Sequence, residues 1–239
     1  METICCIFCG EGSEPDPIVI TENGWNGRQC PKCRLIYISP RPSPKAIQDL
    51  YAHDKAETNA SVLFSDEFNR RLAARHAIKI LRRYANGGQL LEIGSGAGFF
   101  IHEARKVGYS TFAIELNNIQ ATYIAEKGIP VERVPLADAY PNRKFDIIYH
   151  CDVTSHFRDL IGEFKIMSDR LSAGGILMFE TGNFADIAHS MYRHVGSFDE
   201  RRDGSVPVHR EDGRGGHRET ARSTATVRQR AESGFHDGA

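Results

Sequence analysis

No stretch of the 239 residues is apolar over the roughly twenty positions that a bilayer-spanning helix needs, so no transmembrane segment is expected. The opening residues Met1-Glu2-Thr3-Ile4 lack a basic segment followed by an apolar one, so no signal peptide is read and a cytoplasmic location is expected. Charge of one sign is lacking too. Thirty Lys and Arg stand against 31 Asp and Glu, a formal net charge of −1, and no global field favours nucleic acid or an anionic membrane. No internal repeat is found, which argues against a solenoid. Cysteine is scarce beyond residue 33: five of the six lie within the first 33 residues, and the sixth is Cys151. Where no export signal is present, such clustering points to metal before disulfides.

What is present is ordinary for a globular protein, 41% hydrophobic and 26% charged, with room for one α/β domain and a small accessory module. Three zones differ in composition. Residues 1–42 are rich in Cys, Gly and Pro, with short β-type runs at Ile18-Val19-Ile20 and Leu35-Ile36-Tyr37-Ile38. Residues 43–198 alternate helical and strand patterns, and residues 199–239 are different again. In the middle zone, Ser43-Pro44 can cap a short helix through Tyr51. A longer helix starts at Ser65 and Glu67-Phe68, with Phe68, Leu72, Ala73, His76, Ile80 and Leu81 as its apolar stripe and Gly87-Gly88 as its end. Strands are expected at 89–93, 109–114, 131–134, 145–150 and 176–180, and helices at 98–107, 117–127 and 160–171. This alternation implies a mostly parallel sheet with helices on both faces.

After the first of these strands comes Glu92-Ile93-Gly94-Ser95-Gly96-Ala97-Gly98, then a helix. Glycines let the backbone turn sharply and approach a ligand that a Cβ would exclude, and strand ends of this kind bind nucleotides. A dinucleotide fingerprint would place its third glycine at position 99, which is Phe99. Acidic Glu92 is a poor neighbour for a pyrophosphate and suits a ligand bearing an ammonium and a sulfonium. Glu115 ends the second strand, 21 positions after Gly94, where an acid can accept both ribose hydroxyls. That position fits NAD and S-adenosylmethionine alike. A glycine-rich turn that binds nothing is the plain alternative.

Cys6-Ile7-Phe8-Cys9 and Cys30-Pro31-Lys32-Cys33 are separated by 20 residues. Two such knuckles read as a four-thiolate zinc site, structural because every coordination position is filled. Cys5 is a bystander or a substitute for Cys6. A redox dithiol and unpaired core cysteines are the alternatives.

Taken together, residues 65–198 resemble a class I S-adenosylmethionine-dependent methyltransferase. Leu90 through Gly98 resembles the family's first motif, which implies that Glu92, Gly94, Ser95, Gly96 and Gly98 hold the methionine part of the cofactor. Glu115 resembles the ribose-binding acid, with Leu116 beside it. Asp138-Ala139 resembles the position that meets the adenine amino group. Phe145-Asp146-Ile147-Ile148 resembles the strand before the active-site loop, and Cys151 and Asp152 after it complete the implied cofactor-binding set. Leu171-Ser172-Ala173-Gly174-Gly175 resembles a late Leu-x-Pro-Gly-Gly motif, with Ala173 where Pro is usual. Asp152-Val153-Thr154-Ser155-His156 resembles the Asp-Val-x-Glu-His segment of bacterial small-molecule methyltransferases, with Ser155 in place of Glu. That resemblance makes His156 the candidate catalytic base. Packing at the start of a helix near Phe157 is the other reading of His156, and a small buried side chain is the other reading of Cys151. The segment from the second cysteine pair to Ser43 resembles the N-terminal zinc-binding, zinc-ribbon-like module of bacterial methyltransferases, many of which act in polysaccharide, deoxysugar or natural-product pathways. Tyr51, Asp54 and Phe64 lie on the linker expected to cover the cofactor mouth.

Residues 199–239 contain no Leu, Ile, Met, Tyr, Trp or Lys, but eight Arg, eight acidic residues and six Gly. Such a composition predicts disorder and no core strand, and its balanced charge makes a nucleic-acid arm unattractive. The family's last helix and closing antiparallel hairpin would fall here. A tail translated out of frame is one hypothesis, testable by sequencing the source DNA. The expectation is therefore an α/β, Rossmann-like protein whose sheet is incomplete at its C-terminal end. Its expected activity is methyl transfer from S-adenosylmethionine to the O, N or C atom of a small molecule. Also weighed are a truncated S-adenosylmethionine-binding protein without turnover and a methyltransferase acting on protein or RNA. A nicotinamide oxidoreductase is disfavoured by Phe99 and Glu92. A homodimer that covers an exposed sheet edge stays open.

Overall fold

The computed structural model describes residues 1–10, 16–22, 24–43, 45–46, 66–182 and 222–228. Much of the short helix expected after Ser43-Pro44, and Tyr51, Asp54, Phe64 and Ser65, lie outside them.

The N-terminal zone forms an antiparallel sheet of β1 (Ile18–Glu22), β2 (Trp25–Gln29) and β3 (Ile36–Ile38). The two cysteine pairs sit on turns of matching geometry. Gly10 N–H donates to the Cys6 carbonyl and Arg34 N–H to the Cys30 carbonyl, each at 2.9 Å, and both donor residues have φ 64°. Gly10 takes that left-handed conformation freely, whereas Arg34 takes it under constraint of the turn. Ser39 is fully buried and closes the module: its Oγ donates to the Ile4 carbonyl and accepts from the Ile4 N–H, both at 3.0 Å.

The α/β part contains β4 (Gln89–Ile93), β5 (Ser110–Ile114), β6 (Val131–Glu132), β7 (Phe145–Cys151), β8 (Leu171–Gly182) and β9 (Arg222–Arg228). They form one sheet in the order β6-β5-β4-β7-β8-β9, parallel except for β9 against β8. Helices α1 (Glu67–Leu81), α2 (Phe99–Lys106), α3 (Asn118–Glu126) and α4 (Leu160–Arg170) complete the described part of the domain. This is the expected Rossmann-like architecture. The chain runs outward through β5 and β6, then returns to the other side of β4 at β7, so the strand order reverses beside β4. Parallel strands covered on both faces need apolar residues on both. Leu90, Ile147, Tyr149 and Met178 face one layer with Ala77, Ile78, Leu81, Phe100 and Ile101, and Leu91, Ile148 and Leu177 face the other with Phe145 and Met167.

Two expectations need correction. The apolar stripe of α1 is not Phe68, Leu72, Ala73 and His76, which are all exposed, Phe68 at 79% and Leu72 at 55%. The buried face is Ala74, Ala77, Ile78 and Leu81. Its alanines let α1 come close to α2, a packing that a count of large apolar residues overlooks. In the tail, disorder is not what Arg222–Arg228 shows: its backbone pairs along β8 from Ile176↔Arg228 to Gly182↔Arg222. Thr224, Thr226 and Val227 are good strand formers within an otherwise polar stretch. A single antiparallel strand, where the family pattern has a hairpin, borders this end of the sheet among the described residues, so the sheet is short there as expected.

Candidate functional site

The glycine loop leaves β4 at the point where strand order reverses. Gly94, Gly96 and Gly98 have φ of 65°, 55° and 72°, a conformation that L side chains rarely adopt. Space is also short. A Cβ on Gly94 would lie 2.6 Å from Val153 Cγ2, and one on Gly98 would lie 2.8 Å from Ile124 Cγ1. The loop is tied to the end of β5: Gly94 N–H donates to the Ile114 carbonyl at 2.8 Å, and Gly98, the N-cap of α2, donates to the Ser95 carbonyl at 2.8 Å.

Glu115 joins the two loops. Its Oε2 accepts the Gly96 N–H at 2.7 Å and its Oε1 accepts the Asn117 N–H at 2.8 Å. Burial pushes its carboxyl above the ordinary range, and these N–H groups oppose the shift. Asn117 also caps α3, accepting from Ile119 and Gln120. Leu116 next to it is 63% exposed, an apolar side chain at the strand end. Asp138 is exposed and Ala139 buried, on the segment between β6 and β7 whose carbonyls at 137, 139 and 140 accept from Arg170.

Glu92 lies near the end of β4, just before the glycine loop. Its carboxylate is buried and accepts the Ile101 N–H at 3.0 Å, so in this structure it satisfies a first-turn donor of α2. Burial raises its pKa well above 4.5; the Ile101 N–H works against that and the Glu115 charge adds to it. Ser95 likewise turns inward, its Oγ donating to the Glu92 carbonyl at 3.1 Å.

After β7 the chain bends at Asp152, whose φ of 56° is uncommon for a non-glycine residue. Its N–H donates to the Glu180 carbonyl at 2.9 Å. Thr154–His156 then forms a short 3-10 turn, with His156 exposed at its end. Cys151, half-buried, faces the same layer as Tyr149. Gly94, Cys151, Asp152 and His156 are thus brought to one end of the sheet, with Glu115 one strand over.

Sequence reading missed three groups here. Tyr149 is buried, stacks on Phe100 with centroids 3.7 Å apart, and donates its hydroxyl to Glu180 Oε1 at 2.6 Å. His150 is fully buried, stacked on Phe179 and edge-on to Phe157 and Phe164, with neither ring nitrogen bonded to a described residue. Burial pulls its pKa down to about 4, so the ring is neutral at ordinary pH. Arg158 reaches the N-terminal module, a contact across 156 positions of sequence. Nothing local in the sequence marks these groups, because each takes its role from a partner on a distant element.

The four sulfurs of Cys6, Cys9, Cys30 and Cys33 lie within 4.8 Å of one another, and Cys6 and Cys33 are 3.4 Å apart. A tetrahedron of about 2.3 Å metal–sulfur bonds has edges of roughly 3.8 Å, so the cluster has the size for such an ion. Backbone N–H groups of Cys33 and Lys32 hold the Cys30 thiol down at about 7. Burial raises Cys6, while the equivalent N–H groups of Phe8 and Cys9 favour its thiolate. Among the described residues no helix is long and apolar enough to cross a membrane.

Comparison with known proteins gives the following. A family model described as a methyltransferase domain matches residues 44–229. A ubiquinone biosynthesis O-methyltransferase from Paramagnetospirillum magneticum is 28% identical over 109 residues, 43% of this chain and 44% of the relative, so the match spans less than half of that protein. The solved DhpI-SAM-HEP complex covers 67% of this chain and 76% of its own at 17% identity and a TM-score of 0.50, a likeness of fold. An S-adenosylmethionine-dependent methyltransferase from Mesorhizobium loti, 24% identical, covers 42% of this chain and 49% of its own at a TM-score of 0.39.

Proposed function

The chain belongs to the methyltransferase-domain family, and from that premise we propose that it transfers a methyl group from S-adenosylmethionine to a small molecule. The observation that carries this reading is the pairing of the glycine loop with Glu115. Three alternate glycines, all left-handed, open the backbone at the end of β4, and a buried carboxylate from the end of β5 is bonded into the same loop. An adenosyl ligand needs both: close backbone approach and an acceptor for ribose hydroxyls.

In this reading Gly94, Ser95, Gly96 and Gly98 shape the methionine end of the site, and Glu92 supplies negative charge beneath it. Glu115 takes the ribose, with Leu116 as an apolar wall. Asp138 and Ala139 meet the adenine, and Cys151 and Asp152 border the opening toward the acceptor. S-adenosylmethionine supplies the methyl group from its sulfonium. His156, exposed at the end of its turn, accepts the proton that an oxygen, nitrogen or carbon nucleophile must lose. Holding donor and acceptor in line contributes much of the rate in such displacements. The Paramagnetospirillum relative's name favours an oxygen acceptor, and polysaccharide or natural-product chemistry is the other class the module's resemblance suggests. A cytoplasmic setting goes with this reading.

Thermal-shift measurements with S-adenosylmethionine, S-adenosylhomocysteine and NAD test the ligand class. Both adenosyl ligands are expected to raise the melting temperature, and Glu115→Ala to abolish that rise. A rise with NAD alone would overturn the reading. The cysteine cluster is read as a structural zinc site held by Cys6, Cys9, Cys30 and Cys33. Metal analysis should find about one zinc per chain, lost on Cys30→Ser.

A further inference from the structure

The N-terminal module meets the α/β domain at a small polar junction. Glu2 and Arg41 pair through their backbones, each N–H donating to the other's carbonyl at 2.8 Å. Their side chains pair as well: Arg41 Nε and Nη2 donate to Glu2 Oε1 at 3.0 and 2.7 Å. The other Glu2 oxygen accepts from Arg158 Nη2, and Arg41 Nη1 donates to the Arg158 carbonyl at 2.9 Å. A lone surface ion pair is worth little. Here, however, both oxygens of one carboxylate and a backbone carbonyl are engaged by planar guanidinium donors, which fixes orientation as well as charge.

Arg158 ends the segment that begins at Asp152 and carries His156. The other end of that segment rests on the glycine loop, with Val153 filling the space that a side chain on Gly94 would take. Between these ends lies a 3-10 turn of three residues, held by His156 N–H to the Val153 carbonyl at 2.9 Å and Phe157 N–H to the Thr154 carbonyl at 3.3 Å. Turns this short take their order from what they pack against. On the module side, Glu2 is two residues from Ile4, which the buried Ser39 clasps, and Ile4 is two residues from Cys6. Contacts and short stretches of backbone together thus connect the cysteine cluster to the glycine loop.

We propose that Glu2, Arg41 and Arg158 are positioning residues through which the folded cysteine module holds the His156 segment against the glycine loop and so sets cofactor affinity. The module is then a brace for the site, with a role beyond its own stability. An order already present before the ligand arrives need not be imposed by it, which is how such a brace raises affinity. The inference rests on the cofactor reading given above.

The test uses the full chain, with hydrogen exchange read by mass spectrometry and S-adenosylhomocysteine binding read by calorimetry. Arg158→Ala and Cys30→Ser should each speed exchange across 152–158 by about tenfold while leaving 89–93 as protected as before. Both should weaken S-adenosylhomocysteine binding by about threefold or more, and Arg158→Lys should recover part of the loss. Unchanged protection of 152–158 in Arg158→Ala overturns the proposal, as does unchanged affinity despite faster exchange. Exchange that quickens only within 1–42 in Cys30→Ser has the same force. Failure of the unaltered chain to bind S-adenosylhomocysteine would sink the cofactor reading instead, a result that is visible before any variant is made.

Discussion

Glu92 and Gly94, two residues apart, are constrained in opposite ways. Glu92 is a buried carboxyl whose pKa burial raises well above 4.5. A group with a raised folded pKa contributes stability that is fully present below its unfolded value and lost as pH rises through the folded one. Glu92→Gln keeps the shape and an acceptor for the Ile101 N–H but has nothing to ionise. Relative to the unaltered chain, it should therefore gain stability progressively as pH rises above the unfolded carboxyl range in urea denaturation. A difference that stays flat with pH would show that Glu92 carries no such burden. The same substitution should weaken binding of S-adenosylmethionine, because no carboxyl is left for its ammonium to draw into the ionised form. Gly94 is constrained by geometry. Both its φ of 65° and the 2.6 Å approach of Val153 oppose a side chain. Gly94→Ala is expected to lose about 1–3 kcal/mol, measured by denaturant unfolding, and to lose cofactor binding with it.

At the scale of elements, α1 separates what periodicity reveals from what it hides. Leu81 is fully buried against the sheet, and Leu72 lies outward on the same helix. Leu81→Ala should cost about 2–5 kcal/mol, whereas Leu72→Ala should stay within about 0.5 kcal/mol. Equal losses would mean that the outward face is covered after all. The helix was legible in place, although four of the six residues whose spacing suggested it face outward, and β4, β5 and β7 were legible from their apolar runs. Its inner face was not, because close contact with α2 selects Ala74 and Ala77, which carry little weight in an apolar count. Ion pairs reinforce that contact: Arg71 Nη1, Arg75 Nε and Lys106 Nζ converge on the buried Glu103 at 2.8 to 2.9 Å. Despite burial, these cations hold the Glu103 carboxyl down at about 2. The glycine loop and the cysteine pairs could be read directly, since positive φ and the gathering of four sulfurs each demand particular residues at particular spacings. The expected strand at 176–180 proved to be the middle of a twelve-residue β8 whose pairing with β7 skips from Leu171 to Ile176. An irregularity of that kind follows from the partner strand, which local sequence does not report. The Tyr149–Glu180 bond and the junction at Arg158 were hidden for the same reason.

For the molecule as a whole, the question is what closes the sheet. β9 supplies a backbone partner for β8 from Ile176 to Gly182, and β8 carries Glu180, the residue that fixes both Tyr149 and the bend at Asp152. The edge strand thus supports the site from two strands away. A chain ending at residue 221 would leave the whole of that β8 edge unpaired. Unpaired strand edges recruit other strands, so the shortened chain is expected to form larger species than the full chain does, as light scattering after gel filtration would reveal. Its melting temperature should fall as well, because β8 loses one of its two partners and with it the restraint on Glu180. An unchanged mass and melting temperature would mean that the pairing of β9 contributes nothing to the fold. The dimer considered from the sequence would then have no structural motive, since its only argument was an exposed edge.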